Sequence, residues 1–249
     1  DLHYPNYFLT TPLDEQVRHA AFVREGGAGE PLATRVRTDA FQGITEIMVL
    51  APDHPRLLSM LAGACAGAGA NIVGAQVFTM SDGRALDVLM LNREFVQDAD
   101  ELRRGERICG YIGALLQGKD TRRRLISGQK AKRPPTAFSI RPRVSIDNAL
   151  SNQFTVVEVE GLDRPGLLSD LTRAMADLNL DIRSAHISTY GEKVVDVFYV
   201  TDLLGTKITS ESRTGRIASW LTHVFENPGS EPQTAGILSG ERAYGLGRT

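Results

Sequence analysis

Two stretches of this 249-residue chain carry the same pattern of chemically useful residues, 110 positions apart. The first, DHPRLL, runs from Asp53 to Leu58, and the second, DRPGLL, runs from Asp163 to Leu168. In each, a proline presets the backbone for the first turn of a helix, and at Gly166 the missing side chain leaves room for a ligand beside the amides. Free N–H groups at the start of a helix bind anions such as carboxylates. The pattern therefore predicts two small anion sites.

A second polar side chain follows each predicted helix, at the first residue of the next strand. It is Asn71 in the first copy and Asp181 in the second. Either side chain accepts hydrogen bonds from an ammonium group, so the two features together describe a site for a free amino acid. We expect residues 53–58 to form one such site with Asn71, and residues 163–168 to form the other with Asp181. The alternative is purely structural: the loop aspartates would only cap the helices, and Asn71 and Asp181 would only terminate them.

Further polar positions recur on the strands of both copies. Gln76 and His186 are equivalent, and at an interface they would touch the ligand; the alternative for them is a structural polar residue. Asp87 and Asp196 recur in the middle of the following strand, and we expect them on a solvated or subunit-facing side of the sheet. The predicted ligand-binding residues are Asp53, His54, Pro55, Arg56, Leu57, Leu58, Asn71, Ile72 and Gln76 in the first copy, and Asp163, Arg164, Pro165, Gly166, Leu167, Leu168, Asp181, Ile182 and His186 in the second.

The apolar residues around the two loops predict one order of elements, repeated. Helical spacing predicts a helix after each loop, and a hairpin and a second helix follow. Gly69 and Asn179 close the first helices, because Gly and Asn tolerate the left-handed backbone of a helix end. With strand 45–51 ahead of the first helix and strand 143–148 completing the first copy, the order is βαββαβ. It predicts an α+β fold of two ferredoxin-like domains in tandem, each a four-stranded antiparallel sheet with two helices on one face.

The repeat also divides the chain. Residues 32–150 form the first domain, with an insertion at 119–135 that contains seven Lys or Arg residues and is expected to be a solvated loop. Residues 151–228 form the second domain, and residues 229–249, rich in Gly, Pro and Ser, are expected to be a flexible tail. Residues 1–31 hold one helix, PLDEQVRHAAFVRE, and a glycine-rich joint. The apolar face of this helix is thin, which indicates that it packs on a domain absent from the chain.

Bulk composition argues against several classes of partner. The 28 Lys and Arg residues balance 30 Asp and Glu residues, so no overall field attracts nucleic acid or an anionic membrane. No apolar run reaches membrane-spanning length. Cys65 and Cys109 match no metal-ligand spacing and indicate buried thiols in a reducing compartment. We expect a cytoplasmic protein that binds neither membrane nor nucleic acid.

The motif Asp-x-Pro-Gly-Leu-Leu, followed by a helix, Asn/Asp-Ile and a hairpin containing Asp-Val, resembles the ACT domain, a regulatory module that binds amino acids between paired domains. The longer strings at 35–79 and 141–171 resemble the C-terminal region of the bifunctional PII-protein uridylyltransferase/uridylyl-removing enzymes. The first helix is similar to the end of that family's HD hydrolase domain. The resemblance implies a region that senses glutamine: high glutamine favours removal of UMP from PII signalling proteins, and low glutamine favours its transfer from UTP. One departure is Arg56, which stands where the second copy has Gly166 and would either hold a carboxylate or block the pocket.

The catalytic motifs of that family do not occur in this sequence. No Gly-Ser is followed by an Asp-x-Asp pair, and none of the five histidines begins a His-Asp doublet. We therefore predict no catalytic residue, metal ligand or cofactor in this chain, and the resemblance implies Mg only for the catalytic domains of a parent protein. Three alternatives stay open: the regulatory tandem of another enzyme of amino-acid metabolism, an RNA-binding sandwich, and a small phosphatase in which Arg56 and Asn71 imitate a phosphate loop.

Overall fold

The computed structural model describes residues 7–8, 11–26, 31–118 and 140–228. The predicted insertion at 119–135 and the predicted tail at 229–249 lie outside these residues. The elements, in chain order, are α1 (Leu13–Gly26), β1 (Ala33–Asp39), β2 (Ile44–Pro52), α2 (Leu57–Gly67), β3 (Ile72–Thr79), β4 (Arg84–Asn92), α3 (Asp98–Leu116), β5 (Arg143–Asp147), β6 (Thr155–Leu162), α4 (Leu167–Asp177), β7 (Leu180–Tyr190), β8 (Lys193–Asp202) and α5 (Glu211–Glu226).

All eight strands form one continuous sheet in the order β1-β2-β4-β3-β7-β8-β6-β5. Every neighbouring pair is antiparallel. The first four strands belong to one copy of the repeat and the last four to the other, and the two halves join where β3 pairs with β7, with Gln76 opposite His186. The predicted α+β class, with a four-stranded antiparallel sheet in each unit, is confirmed, and the two units lie side by side.

The outer strand of each unit precedes the other three strands in the chain. Ile146 of β5 lies opposite Val157 of β6, just as Val36 of β1 lies opposite Ile47 of β2. The prediction that 143–148 completes the first copy is therefore wrong, and each unit has the order ββαββα, a cyclic permutation of the predicted one. The repeat contained this information, because its offset of 110 residues carries Val36 onto Ile146.

Alternation along the central strands sends side chains into two separate cores. Ile47 and Val49 face helices α2 to α5, whereas Met48 and Leu50 face the other side of the sheet. The helix-side core runs through both units without a break. Helices α2 and α4 pack against each other across the seam between the units, and a Cβ atom added at Gly63 would lie 3.4 Å from Oγ of Ser169.

Helix α1 covers the opposite face of the first unit. Its Phe22 and Val23 are buried in one cluster with Met48, Phe78 and other residues of strands β2 to β4. The buried ring of His19 lies with Nδ1 2.9 Å from the hydroxyl of Tyr7. Helix α1 thus packs on this chain's own sheet through Phe22 and Val23, whereas its Leu13 and Val17 are exposed. The expectation that the exposed apolar residues pack on a further domain stays a prediction.

The packing of α5 on the second unit makes a test of the fold. Gly161 of β6 faces the ring of Phe225, and a Cβ atom there would approach that ring to 2.4 Å. Because the ring is buried, we expect Gly161→Ala to lower the free energy of unfolding in urea by about 1–3 kcal/mol. Gly215, on α5 itself, has no neighbour within 4 Å of an added Cβ. Gly215→Ala is therefore the control and should raise stability by about 0.5–1 kcal/mol. Equal stability of the two variants would contradict this packing.

Candidate functional site

Two small cavities lie at the seam between the units, one beside each repeated loop. Cavity A, of about 20 Å³, lies between loop 163–168 and the start of β3. Cavity B, of about 10 Å³, lies between loop 53–58 and the start of β7. Cavity A is lined by Ala62, Ala66, Ala70, Asn71, Ile72, Asp163, Arg164, Gly166, Leu167, Leu168, Ser169, Ile187, Thr189, Val194 and Asp196. Cavity B is lined by Asp53, His54, Pro55, Leu57, Leu58, Val77, Asp87 and Ile182.

Each loop meets the polar residue of the other copy. The amide of Asn71 donates to a carboxylate oxygen of Asp163 at 3.4 Å, across the seam. At cavity B, Arg183 pairs with Asp181 at 2.8 Å and lies 3.9 Å from Asp53. The prediction that each loop pairs with the polar residue of its own copy is therefore wrong, because the two copies exchange partners.

The sheet explains this exchange. Strands β3 and β7 are antiparallel, so the start of β3 lies beside the end of β7. The loop after β6 lies at that same end, because the amide of Asp163 donates to the carbonyl of Glu192 in the hairpin between β7 and β8 at 2.8 Å. The first copy repeats this contact, from the amide of Asp53 to the carbonyl of Gly83 at 3.0 Å. Loop 163–168 therefore lies beside the start of β3, and loop 53–58 lies beside the start of β7.

The starts of the two helices carry no side-chain cap. Neither α2 nor α4 receives a side-chain capping hydrogen bond at its first turn, so the alternative in which the loop aspartates only cap the helices is not what the structure has. Asp53 instead accepts a hydrogen bond from the hydroxyl of Thr79 at 3.0 Å. Gly166 has a left-handed φ of 80°, and the nearest atom to an added Cβ, at 3.9 Å, is Cβ of Ala66 in the other unit. The amide of Leu167 donates to the carbonyl of Arg164 at 3.1 Å, and the amides that follow it in the first turn of α4 lie beside cavity A without a side-chain cap.

The ends of these two helices match the prediction. Gly69 has a φ of 76° and Asn179 a φ of 57°, so both adopt the left-handed conformation. Asn179 is the one residue other than glycine with a positive φ among the residues that the structure describes.

The most deeply buried carboxyl groups of the site are Asp87 and Asp196. Each is 1% exposed, so the expectation of a solvated or subunit-facing position is wrong. Their side chains face the helix layer, and they line cavities B and A respectively. The signal in the sequence is an Asp-Val pair at the centre of each strand, in ALDVLML and VVDVFYV, where a single acid interrupts an apolar run.

Burial controls the ionisation of both groups. Loss of hydration raises the pKa of Asp87 to about 8, and the negative charge of Asp53 adds to the shift. Burial likewise raises the pKa of Asp196 to about 7, although the amide of Ser188 donates to its Oδ1 at 3.3 Å. Burial also raises the pKa of Asp163, opposed by the hydrogen bond from Asn71. Cavity A is therefore lined by two acids with a raised pKa.

The two cavities differ in the charge that the opposite unit supplies. Burial raises the pKa of Asp181, and the guanidinium of Arg183 opposes that shift beside cavity B. The position equivalent to Arg183 in the first copy is Val73. The other unit thus contributes a neutral amide, Asn71, to cavity A, whereas it places an arginine near cavity B. Cavity A is therefore the better candidate to bind a cationic group.

Several predicted residues lie away from the cavities. Gln76 and His186 face each other on the opposite side of the sheet and line neither cavity, because they alternate with the helix-facing residues of β3 and β7. Arg56 neither holds nor blocks the pocket, since its guanidinium pairs with Asp177 of the other unit at 2.9 Å. Arg164 lines cavity A, but its guanidinium is committed to Asp170 at 2.7 Å.

The structure also tests the RNA-binding and phosphatase alternatives. An RNA-binding sheet needs exposed aromatic rings, whereas Phe78 is buried in the α1 cluster and Phe198 is fully buried. The phosphatase reading fails because Arg56 and Asn71 are paired with different aspartates in different places. Cys65 and Cys109 are free thiols, and burial raises the pKa of Cys65 to about 12. Within the described ranges, no cluster of His, Cys, Asp and Glu suits a metal ion, and none of the helices could cross a membrane.

Comparison with known proteins agrees with this architecture for the second unit. Residues 150–224 match the family described as the ACR family N-terminal ACT domain, so this part of the chain is an ACT domain. ACT domains are regulatory modules that typically bind amino acids and pair with one another.

Solved structures show only distant likeness. Aspartate kinase from Synechocystis is 16% identical over 74% of this chain, with a TM-score of 0.41, and the chain spans 27% of that enzyme's length. A putative glycine cleavage system transcriptional repressor is 13% identical over 73% of this chain and 91% of its own, with a TM-score of 0.25. The regulatory subunit of aspartate kinase from Thermus thermophilus is 14% identical over 79% of this chain and 99% of its own, with a TM-score of 0.24. Likenesses this distant carry no argument about ligand or partner.

Proposed function

We propose that this chain is the glutamine-sensing regulatory region of a PII-protein uridylyltransferase/uridylyl-removing enzyme. The ACT domain at 150–224 and the side-by-side pairing of two repeated units support an amino-acid-binding regulatory tandem. The assignment to this particular enzyme depends on the resemblance of residues 35–79 and 141–171. The observation that carries the proposal is cavity A, where the uncapped start of α4, the acidic pair Asp163 and Asp196, and Asn71 of the other unit converge.

The chemistry of cavity A suits a free amino acid in one orientation. The amides at the start of α4 take the carboxylate, helped by the positive end of the helix dipole. The acidic pair takes the ammonium group. A second carboxylate, as in glutamate, would add a negative charge beside Asp163 and Asp196, so the same site favours a neutral amide side chain. This charge balance is the physical reason to expect glutamine rather than glutamate.

The cavity is too small to hold such a ligand as it stands. A volume of about 20 Å³ has room for about one water molecule. Its walls come from both units, with Ala62 and Ala66 of α2 facing Leu167 and Ser169 of α4. Glutamine therefore binds only when α2 and α4 move apart, which changes how the units pack.

Regulation follows as a shift between two packings. The closed packing corresponds to low glutamine, and the ligand stabilises a more open one that the attached catalytic domains sense. Coupling of about 1–3 kcal/mol is typical for such systems and is sufficient to reverse the balance between two opposed activities. In this proposal the parent enzyme is cytoplasmic, uses Mg in its catalytic domains and acts on a PII protein.

Calorimetric titration of the 249-residue chain with glutamine tests the proposal. We expect saturable binding of glutamine, and binding at least about tenfold weaker for glutamate and for asparagine. Asn71→Ala should weaken glutamine binding by about tenfold or more, because it removes the amide that donates to the half-buried carboxylate of Asp163. Asn92→Ala, at the exposed end of β4, is the matched control. Selective binding of a branched-chain or aspartate-family amino acid would assign the tandem to a different enzyme, and no response to any amino acid would refute a sensing role.

A further inference from the structure

The buried acids Asp87 and Asp196 lack the hydrogen-bond partners that a buried carboxyl group normally has. Neither carboxyl oxygen of Asp87 accepts a hydrogen bond from any residue that the structure describes. Asp196 has one long hydrogen bond, from the amide of Ser188 at 3.3 Å. Both side chains line cavities, and both are 1% exposed. A buried carboxyl group without adequate partners destabilises a fold, so its occurrence in both copies at the same place calls for a function.

The charged groups around each acid are few. Asp196 faces Asp163 and Arg164 of the loop, and the Arg164 guanidinium is occupied by Asp170. The strands on either side place Val159 and Ile187 next to Asp196.

Around Asp87, Val49 and Val77 are the strand neighbours. Asp53 and His54 of the loop line the same cavity, and Asp181 with Arg183 lies beyond Asp53. No described cation contacts either buried acid, so each cavity presents a carboxyl group that lacks a positive partner.

We propose that Asp87 and Asp196 are the groups that receive the ligand's ammonium group, and that ligand binding releases a proton from each. This inference depends on the proposed amino-acid site, and it specifies which groups of that site bind the ammonium and what happens to their protons. In the empty cavity the carboxyl group is neutral below about pH 7, because burial raises the pKa of Asp196 to about 7 and that of Asp87 to about 8. On binding, its O–H bond breaks, the proton passes to solvent, and the carboxylate pairs with the incoming ammonium, which keeps its own three protons. The affinity for the amino acid is thereby linked to pH.

Titration calorimetry in buffers of different ionisation enthalpy measures this proton directly. At about pH 6 we expect release of about 0.8–1 proton for each glutamine bound, and binding that weakens by up to about tenfold for each pH unit below about 7. The double variant Asp87→Asn/Asp196→Asn should release no proton and bind at least about 100-fold more weakly, because an amide oxygen accepts a hydrogen bond from the ammonium group but carries no negative charge to balance it. Each substitution replaces a buried ionisable group with a neutral one of the same shape, which does not destabilise the fold. Loss of glutamine binding by the double variant would therefore not be caused by unfolding. Asp82→Asn, in an exposed hairpin where Asp82 pairs with Arg84, is the control.

Two analogues separate this inference from the proposed function. Glutaramic acid keeps the carboxylate and the amide of glutamine but has no ammonium group, and it should bind weakly with no proton release. 4-Aminobutanamide keeps the ammonium and should release the proton even though it binds weakly. If glutamine binds without proton release, or the double variant binds it normally, the inference is wrong and the glutamine site stands. If glutamine does not bind at any pH, both are wrong.

Discussion

Glutamine binding should be lost when α2 and α4 are joined by a disulfide in the variant Gly63→Cys/Ser169→Cys. Cavity A lies between these helices, and about 20 Å³ leaves no room for an amino acid unless they separate. A Cβ atom at residue 63 would lie 3.4 Å from Oγ of Ser169, which is compatible with a disulfide of ordinary geometry. A cross-linked pair holds the closed packing, so the fraction of molecules able to bind falls, and the apparent affinity falls with it.

We expect oxidised double variant to bind glutamine at least about 100-fold more weakly than the wild type, and dithiothreitol to restore binding. Each single variant, treated with the same oxidant, is the matched control. The neighbouring Cys65 should not interfere, because burial raises the pKa of its thiol to about 12 and keeps it unreactive. Normal binding by a variant whose disulfide is verified by mass spectrometry would show that the ligand enters without separating the helices.

Asp87→Asn should stabilise the protein near pH 8 by an amount on the order of 5 kcal/mol. The folded-state pKa of Asp87 is about 8, against an ordinary value of 3.8, because burial opposes its ionisation. The folded state therefore holds the proton that the unfolded state releases above about pH 4. Stability falls as the pH rises from about 4 to about 8, and the full penalty applies above that range. Asparagine has the same shape and no charge, so the variant avoids the penalty.

Urea unfolding at a series of pH values measures this effect. The difference between Asp87→Asn and wild type should be small near pH 4, where the acid is neutral in both states, and should grow towards pH 8. Asp82→Asn should behave oppositely, because the Arg84 side chain lowers the pKa of Asp82 and the carboxylate is favourable above its ordinary pKa. A variant at residue 87 that is less stable than the wild type at pH 8 would mean that the carboxylate has a stabilising partner.

Much of the local structure followed from the sequence because it depends on near neighbours in the chain. The repeated helices, their left-handed ends at Gly69 and Asn179, and the hairpins of β3 with β4 and β7 with β8 are all where pattern and turn chemistry predicted them. The α+β class followed as well, because a repeated set of alternating strands and amphipathic helices buries its apolar faces in few ways.

The candidate site was predicted in part. The loop aspartates, the leucines behind them, Asn71 and Ile182 line the seam cavities, and their repetition at one offset was the usable signal. Gln76 and His186 were misplaced because alternation along a strand says which residues share a face, but not which face meets the helices. Asp87 and Asp196 were predicted on a solvated or subunit-facing side because an acidic residue is rarely fully buried, and the sequence does not show which face of the strand meets the helices.

The sequence by itself therefore determined the elements, the repeated loops and the chemical character of the side chains near them. The tertiary structure alone decided that the two units join through β3 and β7, that each loop takes its polar partner from the other copy, and that two acids are enclosed without cations. The reason is that helices, turns and strand periodicity depend on residues a few positions apart. The order of strands in a shared sheet depends on contacts between residues about 110 positions apart, and that order places the start of one unit's strand beside the other unit's loop.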